Sequence, residues 1–217
     1  GSVGAPYSTD TALLTLRCTL DSSVEPRQSY RNEAGVTWTS VADPSQPFTR
    51  VSDTASVVIA DPVISKRLVS ITPGYRSPAL EAHIGELLTY EVVIEVPEGT
   101  ASRVRFQDIL QSGLAAGDVL ALNVSSPDLT TSEGSFADVL ANLGFSSSGG
   151  GTPAIARRLV FGQGNNDNGF GTVTNSNTDN GVAETITLRY RARLLNSANN
   201  VQNRRRLNQA RWLWQPV

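Results

Sequence analysis

The chain has 217 residues, 39 % of them apolar, a net charge of −2 with both signs scattered, and a single cysteine. That supplies enough apolar material for one large all-β domain with a packed core, while the charge balance argues against nucleic acid as a partner and the lone Cys18 excludes an intrachain disulfide. No apolar run approaches the roughly 18 residues that a membrane-spanning helix needs, and His83, without a second histidine or a cysteine pair, cannot build a zinc site or a catalytic triad.

Strand signals dominate. From the N-terminus, LLTLRCTL (13–20), GVTWTSV (35–41), ASVVIA (55–60), VISKRLVSI (63–71), LLTYEVVIEV (87–96), SRVRFQDIL (102–110), ARRLVFG (156–162), ETITLRYRARLL (184–195) and NQARWLW (208–214) are rich in β-branched or aromatic residues. Most alternate apolar and polar residues with period two. Clusters of Gly, Pro, Ser and Asn lie between them, notably PEGT, SSSGGGTP and GQGNNDNGFGTVTNSNTDNG, and mark turns. The pattern predicts an immunoglobulin-like β-sandwich. Only SFADVLANLG has helical spacing, with Phe136, Val139, Leu140 and Leu143 on one face and Gly144 as a stop; it predicts one short helix in a loop. Cys18 alternates with apolar neighbours and is expected as a small core residue.

The same ending occurs twice. Asn32 and Trp38 in YRNEAGVTW match Asn208 and Trp214 in RLNQARWLW, each at an offset of 176 residues. Residues 1–45 therefore read as the last strands of a preceding repeat, 46–61 as a linker or added strand, and 62–217 as a complete sandwich repeat.

Three polar residues fall where alternation predicts core. Lys66 shares a face with Ile64 and Leu68; Asp108 shares one with Val104, Phe106 and Leu110; Asn208 is in phase with Ala210, Trp212 and Trp214. Side chains alternate strictly along a strand, so each of the three is expected to point inward, and burying any of them unpaired costs several kcal/mol. They should meet. Lys66 is also the only lysine, against seventeen arginines. Arginine serves a surface role equally well but cannot be deprotonated, whereas a buried amine can become a nucleophile.

Together the three can react. Desolvation lowers the pKa of an amine and raises that of a carboxyl group. A neutral Lys66 amine can attack the side-chain carbonyl carbon of Asn208 while a protonated Asp108 polarises that carbonyl and shuttles protons to the departing ammonia. The product is an amide between two side chains, formed once, with proximity supplying the rate. Such a bond acts like an irreducible disulfide.

The order of Ile64-Ser65-Lys66 in a first strand, Asp108-Ile109-Leu110 in a middle one and Asn208-Gln209-Ala210 in a closing one resembles the isopeptide-forming β-sandwich domains of bacterial adhesins and pili. It is closest to the collagen-adhesin type that uses an aspartate, and is similar to the repeats that fill large repetitive bacterial surface proteins. The resemblance covers roughly residues 62–217, with Asn32-Glu33-Ala34 repeating the ending upstream; it departs from the pattern in lacking a proline after Leu110. It implies Lys66 and Asn208 as crosslinking residues and Asp108 as the autocatalytic proton shuttle. Asn32 has the same inward phase without a second lysine to serve it: either its lysine belongs to an upstream segment, or Asn32 competes for Lys66.

Asp167, Asn165, Asn168 and Asp179 offer oxygen atoms suited to Ca²⁺, but an Asn/Gly-rich hairpin loop accounts for them better. Arg204, Arg205 and Arg206 read as a solvated cluster, and Trp212 and Trp214 as core. No cofactor is called for. The expected function is a structural or adhesive repeat of an extracellular protein on a bacterial surface, in contact with neighbouring repeats of the same protein, rather than an enzyme acting on an external substrate. Two alternatives are a ligand-binding adhesin module, whose loops at 123–155 and 162–181 take a surface protein or glycan, and a filament subunit completed by strand exchange through its N-terminal segment.

Overall fold

A computed structural model of the chain describes residues 12–38, 49–73, 81–142, 157–160, 169–177, 183–202 and 204–215. The described residues form eleven strands and one helix: β1 (Ser29–Trp38), β2 (Thr49–Val58), β3 (Val63–Thr72), β4 (Leu87–Val96), β5 (Gly99–Leu110), β6 (Leu114–Val124), β7 (Leu129–Thr131), α1 (Phe136–Asn142), β8 (Arg157–Val160), β9 (Gly171–Asn175), β10 (Glu184–Leu194) and β11 (Gln209–Gln215). One antiparallel sheet has the order β3-β4-β10-β6; the other has the order β11-β5-β9-β7, with β8 also paired to β5. Their inner faces bury one continuous core, including Val92, Ile94, Phe106, Phe170, Ile186, Leu188, Tyr190 and Trp212. The chain is all-β, an immunoglobulin-like β-sandwich.

Alternation explains the inner face. Along β10 each second residue from Glu184 to Leu194 is buried, so Ile186, Leu188, Tyr190 and Ala192 face inward together. β3 is an edge strand and follows the same phase more weakly: Ile64, Lys66 and Leu68 are half-buried, while Val63, Ser65, Arg67 and Val69 are exposed. On the outer face Arg67 and Arg189 stand opposite Glu91 on either side of β4. Both donate to its carboxylate through Nε, at 2.7 and 2.6 Å, and the Arg67 bond first among them holds the Glu91 carboxyl below the usual range. This cross-strand ladder ties the β3 edge to the sheet one residue away from Lys66.

The helix lies where its spacing predicts, with Phe136 and Val139 in the core. Ser135 caps it: its hydroxyl accepts from the Asp138 amide at 3.1 Å, and the Asp138 carboxylate accepts in return from the Ser135 amide at 2.8 Å. That reciprocal pair is a capping box with aspartate in place of glutamate.

Several expectations need correction. β6 and β9 were not predicted from the sequence. Ala115, Ala116 and Gly117 follow Leu114 at the start of β6, and Gly171 opens β9 at φ 59°, so the first residues of both strands include some of poor strand propensity. The supposed loop at 123–155 carries β7 and α1 within its described part, and the one at 162–181 carries β9. LLTLRCTL forms no strand; residues 12–20 have no regular structure, and Cys18 is exposed rather than in the core. Alternation is only half of the requirement for a strand; no neighbouring strand supplies hydrogen bonds here.

Among the described residues β1 and β2 pair only with each other, from Ser29↔Val58 to Trp38↔Thr49. β2 spans most of the stretch expected as a linker or added strand. The lead-in at 22–28 is anchored to the sandwich: the Val24 carbonyl accepts from the Thr100 amide at 2.7 Å, and the Thr100 hydroxyl donates to the Ser22 carbonyl at 2.7 Å. Gly99 permits this approach, since a Cβ at that position would strike the Val24 carbonyl oxygen. Beyond the anchor the hairpin is bare, with Val36 66 % and Val58 64 % exposed.

Phe106→Ala should therefore lower stability by about 3–5 kcal/mol, the cost of truncating a large core side chain, whereas Val58→Ala on the bare hairpin should stay within about 0.5 kcal/mol. Urea unfolding midpoints of the two variants check the contrast.

Candidate functional site

Lys66 and Asp108 meet from strands of different sheets, and Asn208 precedes the strand that pairs with Asp108's. Lys66 sits opposite Val92 on β4, Asp108 lies on β5 opposite Ala210, and Asn208 immediately precedes β11. β3 and β11 are the edge strands on the same side of the two sheets and touch one another. The inward phase of each residue then aims it at the seam between the sheets.

The Lys66 amine is ion-paired to Asp108 Oδ2. The lysine side chain is 11 % exposed and the aspartate side chain 0 %, so the pair is out of water. The same carboxylate oxygen accepts a hydrogen bond from the Tyr190 hydroxyl. Asp108 Oδ1 is buried without a partner. The amine also lies over two aromatic rings, 4.7 Å from the centroid of Tyr90 and 5.4 Å from that of Tyr190. These tyrosines are direct partners across β4 and β10, with rings stacked at 5.7 Å and 29°.

Asn208 closes the site. Both atoms of its side-chain amide are sealed from solvent and neither completes a hydrogen bond. The amide favours the ionised form of the Tyr90 phenol, as a nearby N–H donor does. Buried polar groups are rarely left without partners.

The electrostatics follow from burial. Loss of water pushes the Lys66 amine down to about 8, against the pull of Asp108. It pushes the Asp108 carboxyl up to about 6, against the pull of Lys66. Burial and then the Asp108 charge push the Tyr90 phenol up to about 12, which keeps its proton in place at neutral pH. The ammonium and the carboxylate are each nearer to giving up their charge than in water, and one proton moving along an existing contact would neutralise both.

The other candidates lie elsewhere. Asn32 sits on the separate hairpin opposite Ala55 and is exposed, while the Lys66 amine is held by Asp108 in the sandwich. Asp167 and Asp179, with Asn165 and Asn168, lie outside the described residues. Among the described residues no group of three or more His, Cys, Asp or Glu side chains gathers as it would around a metal ion, and no helix is long and apolar enough to cross a membrane. Trp212 is buried, and Trp214 is half-buried beneath the Arg27 guanidinium at 5.2 Å. The sequence reading missed Tyr90 and Tyr190. Their signal was present, since both share the inward phase of their strands, and an inward tyrosine needs a partner for its hydroxyl.

No protein-family model matches the chain, and no curated protein matches it. Among solved structures it is similar to the pilus backbone (RrgB) from Streptococcus pneumoniae, with 18 % identity and a TM-score of 0.35, over 71 % of this chain and 53 % of that one. The chain thus spans about half the length of that protein.

The pKa shifts fix a pH dependence for the free-amine form of the chain, secured by Asn208→Ala. Asp108 binds its proton more tightly folded than unfolded, so its ionisation lowers stability as pH rises from about 4 to about 6. Lys66 binds its proton less tightly folded, so its deprotonation restores stability as pH rises from about 8 towards 10.5. Relative to the same chain carrying Lys66→Met and Asp108→Leu, stability should pass through a trough between about pH 6 and 8; urea unfolding across pH measures it.

Proposed function

We propose that this chain is a structural module of an extracellular bacterial surface protein or fibre, closed by an intramolecular amide bond between Lys66 and Asn208. The observation that carries this reading is the sealed seam itself: the only lysine of the chain is ion-paired to a fully buried carboxylate, beside a carboxamide whose atoms are buried and unpartnered. Asp108 takes a proton from the Lys66 ammonium through Oδ2. The freed amine attacks the Asn208 carbonyl carbon, and Asp108 passes the proton to the Asn208 nitrogen. The bond from carbon to that nitrogen breaks and ammonia leaves, and the second proton of the attacking nitrogen passes through Asp108 to it, giving ammonium and a neutral amide. The chemistry is autocatalytic and happens once per molecule, without turnover, so the chain is not an enzyme in the usual sense.

The benefit is mechanical and thermodynamic. The bond joins β3, which opens the sandwich, to the residue before β11, which closes it, so tension applied at the two ends runs through a covalent link. Closing a loop of this length removes about 5 kcal/mol of chain entropy from the unfolded state. A reducing agent cannot open it. The sequence resemblance to isopeptide-forming adhesin and pilus domains supports the same reading, as does the downward shift of the Lys66 amine.

Intact mass spectrometry tests it. The purified chain should weigh one ammonia less than its sequence, and Lys66→Arg, Asp108→Ala and Asn208→Ala should each restore the full mass. An unmodified wild-type mass rejects the bond.

A second reading is favoured by one observation, the apolar surface of the N-terminal part. Leu13, Leu14 and Leu16 are 91 %, 80 % and 66 % exposed on an unpaired segment, which suits a strand that completes another copy in a filament. Sedimentation should then reveal association that grows with concentration and is abolished by Leu14→Asp with Leu16→Asp; a monomer at all concentrations excludes it.

A further inference from the structure

We propose that the β1–β2 hairpin is a second crosslinking half-site. Its bare apolar face takes an edge strand of a neighbouring module that carries an inward lysine, and Asn32 and Asp53 join that lysine to this chain through an amide bond. The inference rests on the self-crosslinking reading above and transfers its chemistry to a partner.

The two strand pairs share one register. On the sandwich, β11 and β5 pair as Ala210↔Asp108, Trp212↔Phe106 and Leu213↔Arg105. On the hairpin, β1 and β2 pair as Ala34↔Asp53, Val36↔Val51 and Thr37↔Arg50. Asp53 therefore stands across from Ala34 as Asp108 stands across from Ala210, each with an arginine three residues earlier. Asn32 lies two residues before that alanine, as Asn208 does. The hairpin thus reproduces the acid and the carboxamide of the site and lacks the lysine strand.

The two faces of the hairpin say which side is meant to be covered. Cross-strand partners share a face, as do residues two apart on a strand, so Asn32, Val36, Trp38, Val51 and Asp53 stand together, all of them exposed. The opposite face is polar, with Arg50 ion-paired to Glu33. Apolar on one side and polar on the other is the pattern of a sheet with an inner face, and among the described residues nothing covers it. On the sandwich the matching strand β11 is touched by β3, whose Lys66 meets Asp108. That match defines the occupant: a strand with lysine between apolar residues on one face, as Ile64-Ser65-Lys66-Arg67-Leu68 has, drawn to Asp53 by its charge. A second folded copy of this chain does not supply it, because its single lysine is sealed against its own Asp108. Covering the face takes the ammonium and the Asp53 carboxylate out of water, which favours the neutral form of both. The ammonium gives Asp53 a proton and the freed amine attacks the Asn32 side-chain carbon. Asp53 passes that proton to the Asn32 nitrogen, and the bond from carbon to nitrogen breaks. The second proton of the attacking nitrogen follows through Asp53 to the departing ammonia, so ammonium leaves and a neutral amide joins the two polypeptides.

A tethered probe tests the half-site. An extra copy of residues 62–96, which holds β3, Lys66 and β4, is joined by a flexible Gly/Ser linker to the N-terminus of the full chain, giving an effective concentration on the order of millimolar. Intact mass should then show the loss of two ammonia molecules, one internal and one from the tether. Peptide mapping should place the second bond between the tethered lysine and Asn32. Asn32→Ala, Asp53→Ala, and Lys66→Arg in the tethered copy alone should each abolish the second loss and keep the first. Val36→Asp with Val51→Asp, on the exposed face, should do the same without moving the urea midpoint of the sandwich. A single loss, with its bond mapped to Asn208, overturns the half-site and leaves the internal crosslink standing. A bond to Asn32 in a chain whose own Lys66 and Asn208 stay unjoined overturns the internal crosslink and supports the half-site. A second loss that survives Asp53→Ala overturns the role of Asp53, and a chain of unmodified mass overturns both crosslinks.

Discussion

Two charges held out of water between the sheets are the constraint around which the rest of the sandwich is arranged. Lys66 and Asp108 sit 42 residues apart in sequence, on different sheets, and neither can be buried without the other. Their meeting fixes how β3 lies against β5, and hence how the edge of one sheet sits over the middle of the other. It also fixes which face of each strand points inward. A shift of β3 by one residue would carry Arg67 into the seam and turn Lys66 to solvent, losing the Arg67–Glu91–Arg189 ladder at the same time. The inner pair and the outer ladder therefore specify one register from opposite faces.

The aromatic frame sets the balance of that pair. Two tyrosine rings under an ammonium favour its charged form, and the Tyr190 hydroxyl favours the carboxylate. Burial favours the neutral form of both. These opposing influences leave an ion pair at rest that lies one proton transfer from a nucleophile and an acid. Arginine could satisfy Asp108 as well or better through its fork of donors, but it would close off that second state. Lysine stands at this one buried position, in a chain that uses arginine everywhere else, and of the two only lysine can give up its proton.

What could be read from the sequence was whatever alternation encodes. The phases of VISKRLV, SRVRFQDIL and NQARWLW assigned Lys66, Asp108 and Asn208 to inner faces, and the 3.6-residue spacing of FADVLAN located α1. Elements whose strand character comes from partners rather than composition were hidden. β6 carries Ala115, Ala116 and Gly117 directly after its first residue and is held by its pairing with β10; β9 lies in an Asn- and Gly-rich stretch and is held by β5 and β7. Periodicity reports which way a residue faces but not whether anything is there to face. That is why LLTLRCTL misled: its alternation is regular, yet Cys18 and the leucines around it are exposed. The tyrosines were overlooked for the opposite reason, because inward aromatic residues in a sandwich are ordinary core until a charge is found beside them.

The repeated ending separates motif from site within a single molecule. Asn32-Glu33-Ala34 in β1 and Asn208-Gln209-Ala210 at β11 share residue types and phase. The second has β5 as its neighbour, and the atoms of its asparagine amide are buried. The first is paired with β2 alone, and its asparagine is open to solvent. An exposed carboxamide is hydrated, meets no desolvated amine and is unreactive. The two asparagines share a motif but not surroundings: the buried acid lies on β5 and the amine on β3, and neither belongs to the strand that carries the motif. What surrounds the carboxamide is set by how the sheets meet, and a copy of the closing strand that lacks the opposing sheet carries the letters of the site without its neighbours.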